Sequence, residues 1–379
     1  MNILVVCHYG LYMRPEASFV HAQVQEYVKL GHRVRVLVPV AVGKSLWAQG
    51  RWKVKSCVVD GVELFPMRYL SFFRYGNWWF NTASASACLK GCVSRLLNDF
   101  RPDVIHAHTL GFDSKLGALL KERLHVPLVV TTHGSDVSLP YEQGQITRLR
   151  PTCNRADTIV AVSTALGNKV KASGTDTPIR TILNGFRFSN VCSPCCANPY
   201  SVIQVGQLSR QKRVHQTIEA FAQVKPNYHH AVLTIVGEGP ERKNLEEQCK
   251  TLGISDSVRF LGHLPNNDTL QVMAQHTIFV MPSVREGFGI VYLEAMASGC
   301  LTIGTQKEGI ADFIREGENG FLIPPESPGA IAERISWCFD HPEETNRIAQ
   351  QGWQDALTQT WEKNALEYQD LFTNLLKGH

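Results

Sequence analysis

The sequence predicts an α/β protein built from two doubly wound domains. Short runs rich in Val, Ile and Leu alternate with helix-compatible segments along most of the chain, a pattern typical of parallel sheets covered by helices. This alternation stops in a stretch of Pro, Cys and Asn at residues 190–200 and then begins again. A chain of 379 residues is also too long for one ordinary core. We therefore place a first domain at residues 1–190 and a second at residues 200–361.

The first domain is predicted to open with a strand at residues 2–7, a helix at residues 17–30 ended by Gly31, and a second strand at residues 33–39. No G-x-G-x-x-G follows the first strand, so this opening is not the dinucleotide-binding fingerprint. Further apolar runs predict strands that end in polar residues or glycine, at the edge where open α/β sheets bind ligands. These strands end at His108, at His133, at Ser163 and at Gly185.

The second domain repeats the pattern. Apolar runs predict its strands, and periodic segments between them predict helices. The strands are expected at residues 200–205, 232–236, 258–264, 277–283 and 302–305, and helices at residues 215–224, 290–298 and within 340–378.

The composition of the sequence limits the cell compartments in which the protein is expected. No run of eighteen apolar residues occurs, so no transmembrane helix is predicted. The first residues lack a basic segment and a cleavage site, which argues against a secretory signal. We expect a cytoplasmic protein whose 11 cysteines are reduced. The cluster Cys192-x-x-Cys195-Cys196 is interpreted as part of the linker, with a structural zinc site as the alternative.

Charge is distributed unevenly along the chain. Residues 1–185 contain 22 Lys and Arg against 12 Asp and Glu, whereas the remaining residues contain 16 against 22. A basic first half suits an anionic partner such as a membrane surface, a phospholipid-linked acceptor or a nucleic acid, unless the asymmetry is accidental. The aromatic stretch at residues 64–80, which contains Arg68 and Arg74, suits contact with lipid headgroups or a sugar. Its alternative is a helix or loop that covers the first sheet.

The run E-G-F-G-I-V-Y-L-E at residues 286–294 is the strongest candidate site. It is predicted to join a buried strand to a helix that ends at Gly299. Amides at a helix start favour an anion such as a diphosphate, and Gly287 and Gly289 allow its close approach. Glu286 and Glu294 are hydrogen-bond acceptors that suit the hydroxyls of a sugar and of a ribose. The alternative is a surface loop with two solvated glutamates.

The longer phrase E-G-F-G-I-V-Y-L-E-A-M-A-S-G closely resembles the E-x7-E motif of the retaining, nucleotide-sugar-dependent glycosyltransferases of the GT-B fold, family 4. P-D-V-I-H-A-H at residues 102–108 and G-E-G-P at residues 237–240 resemble further phrases of that family. The resemblance implies two Rossmann-like domains that face each other across a cleft. Residues 360–363 resemble the family's kink, which implies that a C-terminal helix at residues 362–379 returns to the first domain.

The resemblance implies a donor site in the second domain. Glu294 would hold the ribose, while Lys212, Arg210 and the loop and helix amides would hold the diphosphate. Gln207 stands where relatives usually have Arg, a departure that bears on the phosphate geometry. The implied donor-binding residues are Glu294, Arg210, Gly287, Phe288, Gly289, Ile290, Val291, Gly237 and His263.

The resemblance also implies roles close to the transferred sugar and on the acceptor side. His133, Glu286 and Lys212 would be catalytic, with His133 and Glu286 facing the anomeric centre and Lys212 stabilising the leaving diphosphate. Gly10, Asp136 and Ser163 would lie on the acceptor side. No metal or other cofactor is expected, since no D-x-D is placed to bind one.

The implied function is transfer of a sugar, with retention, from a nucleoside diphosphate sugar to a glycan or lipid-linked glycan in surface polysaccharide biosynthesis of the teichuronic acid or exopolysaccharide type. Family frequency favours a UDP-sugar. Retention could follow a front-face displacement, in which the leaving phosphate takes the acceptor proton, or a covalent step on a carboxylate. The expected partners are the donor, the acceptor and an anionic membrane surface at the inner face of the cell membrane, without nucleic acid. Alternatives are a nucleotide-sugar epimerase of the same fold and a non-catalytic protein that binds sugar nucleotides.

Overall fold

The computed structural model describes residues 1–8, 18–42, 56–71, 78–187 and 198–378. The chain forms two compact units, one comprising Met1–Gly185 with Trp361–His379 and the other Phe186–Thr360. The predicted linker with Cys192, Cys195 and Cys196 falls at residues 188–197, outside the described residues, and so does the predicted acceptor-side Gly10.

The first unit contains an eight-stranded sheet in its described part, ordered β3-β4-β2-β1-β5-β6-β7-β8. Every neighbouring pair is parallel except the antiparallel hairpin of β3 and β4. The central strands are fully buried, as expected for a parallel sheet covered on both faces. The strands are β1 (Asn2–Val6), β2 (Arg33–Val42), β3 (Cys57–Val59), β4 (Val62–Leu70), β5 (Val104–His108), β6 (Leu128–Thr132), β7 (Thr158–Ala161) and β8 (Ile179–Thr181).

The β3–β4 hairpin corrects one expectation. Residues 64–80 were expected to form an interface segment, or a helix or loop that covers the sheet, but residues 64–70 belong to β4 inside the sheet. Asp60 and Gly61 form the turn with φ of 49° and 79°, the Asp-Gly chemistry of a two-residue hairpin. The apolar residues of this stretch therefore belong to a strand of the sheet rather than to a segment that covers the sheet. The rest of the stretch, residues 72–77, lies outside the described residues, and residues 78–80 begin a helix.

Helices cover the first sheet, and the last helix of the chain is one of them. It buries Tyr368 and Phe372 in the core of this unit. The side-chain amide of Gln23 donates to that of Asn364 at 2.7 Å, and Asn364 Nδ2 donates to the Leu183 carbonyl at 2.8 Å. The expected return of the C-terminal helix is confirmed. The helices are α1 (Ser18–Lys29), α2 (Trp78–Leu96), α3 (Phe112–Leu124), α4 (Ser135–Glu142), α5 (Arg150–Cys153), α6 (Thr164–Lys171) and, from the chain end, α13 (Trp361–Gly378).

The second unit has an all-parallel sheet of six strands in its described part, ordered β11-β10-β9-β12-β13-β14. Its core lies between this sheet and the flanking helices. The strands are β9 (Asn198–Val205), β10 (Val232–Val236), β11 (Val258–Gly262), β12 (His276–Val280), β13 (Leu301–Thr305) and β14 (Phe321–Ile323). The helices are α7 (Val214–Val224), α8 (Arg242–Thr251), α9 (Asn266–Met273), α10 (Ile290–Ala297), α11 (Pro328–Asp340) and α12 (Pro342–Thr358).

Both sheets confirm the predicted doubly wound α/β class. In each sheet the first few strands of the chain are added on one side of the first strand. The later strands are then added on its other side. The strand order therefore reverses between β1 and β5 in the first unit and between β9 and β12 in the second. The loops that leave the carboxyl ends of such neighbouring strands diverge and leave a crevice where ligands bind. Among the described residues, no helix is long and apolar enough to cross a membrane.

Candidate functional site

The strand reversal of the second unit brings Lys212 and Glu286 together. Lys212 ends a short 3₁₀ helix after β9, and Glu286 lies in the loop after β12. Lys212 Nζ donates to Glu286 Oε2 at 2.5 Å. Both side chains are mostly buried, with 18% and 16% of their surface exposed. The two residues that sequence reasoning placed on different loops therefore form one ion pair at the switch point of this sheet.

Neighbouring groups hold Glu286 in place. The Ser283 hydroxyl donates to Glu286 Oε2 at 3.0 Å, and the Glu286 backbone N–H donates to Glu308 Oε2 at 2.9 Å. The backbone N–H of Val284 donates to the Gln211 carbonyl at 3.0 Å, which ties the two loops together. Glu308 was not singled out from the sequence, because nothing in its local motif shows that it reaches the loop after β12.

Gly289 shapes the start of α10. Its φ is 83°, and a Cβ at this position would lie 2.7 Å from the Tyr292 ring and 3.0 Å from Glu286 Cγ. No side chain caps α10 among the described residues, so amides in its first turn remain available to an anion. Tyr292 N–H already donates to the Gly289 carbonyl, which leaves the amides of Ile290 and Val291 as the candidates. The helix ends before Gly299, at φ 89°, as predicted.

The loop between Glu286 and α10 is packed against a second glycine turn. A Cβ at Gly309 would lie 2.1 Å from the Gly287 carbonyl oxygen, so the two backbones are in direct contact. The Phe288 side chain is 1% exposed and belongs to the core. Gly287 and Phe288 can therefore offer a ligand only their backbone, whereas Glu286 can offer its side chain.

Glu294 lies one turn into α10, apart from the ion pair. Asn266 Nδ2, at the start of α9, donates to Glu294 Oε1 at 2.9 Å. Burial raises the pKa of Glu294, and the Asn266 hydrogen bond opposes that rise. Sequence reasoning missed Asn266, although its place at a helix start after β11 is a signal that it lies at the carboxyl edge of the sheet.

Three glycines end the neighbouring strands β9, β10 and β11. Gly237 has φ 136°, and a Cβ there would lie 1.9 Å from the Gly206 carbonyl oxygen. The Gly237 N–H donates to the Gly262 carbonyl at 2.7 Å. The aliphatic part of the Lys212 side chain packs over Gly206, and its Cδ would lie 3.6 Å from a Cβ at Gly206. Gly237 was predicted as a site residue, and Gly206 and Gly262 were missed.

The remaining predicted donor residues are exposed. The Arg210 side chain is 92% exposed, and its Nε lies 3.7 Å from Glu241 Oε1 rather than in the Lys212–Glu286 pair. Gln207 is exposed on the same loop, and His263 is exposed directly after β11. The structure thus brings together Lys212, Glu286 and the start of α10, and leaves Arg210 and His263 at the surface of the same sheet edge.

In the first unit, histidines and carboxylates gather at the corresponding edge. His108 Nδ1 and His133 Nε2 are 2.9 Å apart, and the two rings stack with an interplanar angle of 16°. Burial lowers the pKa of both, that of His133 to about 4. His8 Nδ1 lies 2.6 Å from Asp113 Oδ2 across the strand reversal. His133 was predicted, whereas His8, His108 and Asp113 were not assigned roles.

Asp136 and Ser163 have structural contacts. Asp136 Oδ1 accepts from the backbone N–H groups of His133 and Gly134 and from the Thr132 hydroxyl, and its Oδ2 accepts from the Leu110 N–H at 2.8 Å. The fully buried Ser163 caps α6 by accepting the Leu166 N–H at 3.2 Å. These contacts explain both residues as local anchors of the loops at this edge.

Comparisons with known proteins identify the family. The family model described as "Glycosyltransferase Family 4" matches residues 17–189, and the model described as "Glycosyl transferases group 1" matches residues 197–355. A protein of Bacillus subtilis (strain 168) with the provisional name teichuronic acid biosynthesis glycosyltransferase TuaC is 27% identical over 359 residues, which cover 89% of this chain and 88% of that protein.

Solved structures share the fold. Anabaena HepE, crystallised in complex with UDP, superposes with a TM-score of 0.74 at 22% identity and covers 99% of this chain and 100% of its own. Sucrose-phosphate synthase from Thermosynechococcus elongatus superposes with a TM-score of 0.80 at 16% identity over 100% of both chains. The two family models together span almost the whole sequence, and this chain belongs to family 4 of the GT-B glycosyltransferases.

Proposed function

We propose that this enzyme transfers a sugar from a UDP-sugar, with retention of anomeric configuration, to a glycan or lipid-linked glycan in surface polysaccharide biosynthesis. The observation that carries the proposal is the Lys212–Glu286 ion pair at the strand reversal, beside the uncapped start of α10. A cation and free amides at one edge of a sheet suit a diphosphate leaving group, whose charge grows as the glycosidic bond breaks.

The second unit would bind three parts of the donor, namely its diphosphate, its ribose and its sugar. Lys212 and the amides of Ile290 and Val291 would bind the diphosphate, and Glu294, steadied by Asn266, would accept hydrogen bonds from the ribose hydroxyls. Glu286 would accept from a sugar hydroxyl. Because Lys212 and Glu286 already hold each other, little side-chain entropy is lost when the donor binds.

The choice of a UDP-sugar draws on the relatives. The HepE structures contain UDP and, in another crystal, UDP-glucose. TuaC is provisionally assigned to teichuronic acid biosynthesis. The basic first half of the chain suits a lipid diphosphate acceptor at an anionic membrane surface, so we place the enzyme in the cytoplasm with peripheral membrane contact. The reaction as proposed requires no metal ion, since Lys212 and the helix amides would stabilise the leaving group.

Three measurements test the proposed function. A thermal-shift screen of UDP, GDP and ADP and of their sugars should show the largest stabilisation with UDP, about 2.7 kcal/mol at 100-fold its Kd. Proton NMR of a product formed from the selected donor and a glycan acceptor should show an α-linked sugar from an α-linked donor. Stabilisation by GDP or ADP instead of UDP, or an inverted anomer, would overturn the corresponding part of the proposal. EDTA should leave the rate unchanged.

A further inference from the structure

The second unit contains a cavity of about 390 Å³ at the amino edge of its sheet. The first residues of β9 and β12 line one part of it, and the ends of α9, α10 and α11 and the start of α12 line the rest. Lys212 and Glu286 lie at the opposite, carboxyl edge of the same sheet. The whole cavity belongs to the second unit, and its volume falls within the range of about 300–1,000 Å³ that is typical of small-molecule sites.

Two polar groups that line the cavity lack a hydrogen-bond partner among the described residues. Ser298, which follows α10, is only 5% exposed, and its hydroxyl is one of them. The side-chain amide of Asn346, at an exposed position of α12, is the other. Buried polar groups in proteins are nearly always hydrogen-bonded. The cavity therefore presents a hydroxyl and an amide that can bond to water or to a ligand.

His276 contributes a neutral ring to the wall of the cavity. Its Nδ1 lies 2.7 Å from the Val272 carbonyl oxygen, and its Nε2 lies 2.7 Å from the Thr234 hydroxyl. Because a carbonyl only accepts, Nδ1 carries the ring hydrogen and Nε2 accepts from the hydroxyl. Burial lowers the pKa of His276, and the hydrogen bond to Val272 opposes that change. This histidine is thus held without charge.

The chemistry of the wall limits the kind of ligand. The part of the wall that the structure describes contains no Asp, Glu, Lys or Arg. A charged ligand would lose its water without gaining an opposite charge. A purely apolar ligand would leave the Ser298 hydroxyl and the Asn346 amide without partners. The wall therefore suits a neutral ligand that carries several hydroxyl groups.

Rings form much of the apolar part of the wall. Tyr200 and Phe339 meet edge to face, with centroids 5.3 Å apart and an interplanar angle of 69°. Phe339 belongs to the buried core, and Tyr200 is partly buried against that core. Pro199 and Pro342 also line the cavity. Such rings offer flat apolar surfaces, which match the C–H faces of a sugar ring.

We propose that this cavity is a second carbohydrate site, which binds a neutral sugar ring at the edge of the sheet opposite the donor groups. The sugar hydroxyls bond to the Ser298 hydroxyl and to the Asn346 amide in place of water, and a C–H face of the ring packs on the aromatic wall. A free neutral sugar and a neutral sugar residue of a glycan chain share this chemistry. The site goes beyond the proposed function and does not depend on the identity of the donor or of the acceptor.

Asn346→Trp and Gln354→Trp form a matched pair of variants. Both positions are exposed on α12, but only Asn346 lines the cavity. An indole ring at position 346 blocks the opening, whereas the same ring at position 354 leaves it clear. Ser298→Ala removes only the hydroxyl. Thermal unfolding should give the wild-type Tm for all three variants, which shows that a change in binding does not come from a change in folding.

Saturation-transfer difference NMR measures binding of the methyl β-D-glycosides of glucose, galactose and N-acetylglucosamine. We expect saturation of at least one of them by the wild type, alone and with saturating UDP. Asn346→Trp should lower the affinity by roughly 10-fold or more, and Ser298→Ala by roughly 3- to 10-fold, as for a lost neutral hydrogen bond. Gln354→Trp should match the wild type. Methyl β-D-glucuronide, a charged ring of the same shape as the glucoside, should bind at least 10-fold more weakly than the best neutral probe.

A trisaccharide of the best neutral sugar separates the two sources. Tighter binding with saturation of all three rings identifies a glycan chain, and saturation of one ring at the affinity of the methyl glycoside identifies a single sugar. The inference is overturned if no neutral probe is saturated, if binding survives Asn346→Trp or disappears with UDP, or if the glucuronide binds equally well. UDP release from a UDP-sugar tests the proposed function separately, so a protein that binds the glycoside but releases no UDP would overturn only the proposed function.

Discussion

Lys212 Nζ lies 2.5 Å from Glu286 Oε2, although 74 residues separate them in the chain. They meet because β9 and β12 are neighbours in the sheet, and each residue lies in the loop that leaves the carboxyl end of its strand. Each charge partly neutralises the other while both side chains are mostly buried. The loss of one partner would therefore leave the other charge mostly buried and without compensation.

Replacing Lys212 tests the diphosphate contact. Lys212→Met keeps the aliphatic stem over Gly206 and removes the ammonium group. We expect UDP to bind roughly 10- to 100-fold more weakly, because a hydrogen bond to a charged group contributes about 1.5–3 kcal/mol. Isothermal titration calorimetry with UDP measures the change. Lys250→Met, which removes an exposed lysine paired with Glu247, is the control and should leave the affinity unchanged.

Glu294→Gln should weaken UDP binding and stabilise the fold. Burial raises the pKa of Glu294 in the folded state, so its contribution to stability is complete at low pH and is lost as the pH rises through that pKa. The uncharged Gln avoids this loss and can still accept from Asn266. We expect a higher Tm than the wild type at pH 8, a smaller difference at pH 4, and a UDP affinity about 10-fold lower at pH 8.

Thermal unfolding at the two pH values, with UDP titrations at pH 8, checks both halves of that prediction. The control is Glu247→Gln at an exposed position. Its Tm should not show the same pH-dependent difference from the Tm of the wild type. A Tm difference for Glu294→Gln that grows toward low pH would contradict the assigned cause of the pKa shift.

Gly289→Ala should destabilise the second unit and impair donor binding. The position combines φ 83° with a Cβ that would lie 2.7 Å from the Tyr292 ring. Gly317→Ala is the matched control, because its φ is 71° and no atom lies within 4 Å of the added Cβ. The difference in unfolding free energy between the two variants, measured in urea, isolates the steric contact. We expect Gly289→Ala to cost about 1–3 kcal/mol more, and equal costs would show that the ring contact relaxes freely.

Local sequence patterns predicted most elements of the fold. Buried parallel strands are continuous apolar runs, so their patterns survive without tertiary information. The prediction for residues 64–70 was wrong because their aromatic and Arg content resembles that of a surface segment. These residues form a strand because they pair with β2. Pairing between strands separated along the chain is set by the whole sheet, and local pattern does not reveal it.

The candidate site was predictable where one motif contained it. Glu286, Gly289 and Glu294 lie within nine residues, so spacing alone placed them at one helix start. Contacts across distant segments were not predictable, as with His8 and Asp113 or with Glu308 and the Glu286 amide. The helix cap made by the Ser163 hydroxyl was likewise not predicted, and the acceptor-side role of Ser163 stays a prediction.

The most direct measurement is a crystal structure of the protein with bound UDP. We predict diphosphate oxygens within hydrogen-bond distance of Lys212 Nζ and of the Ile290 or Val291 N–H, and ribose hydroxyls on the Glu294 carboxylate. UDP bound elsewhere on the chain, with Lys212 still engaged only by Glu286 and the start of α10 empty, would contradict this prediction.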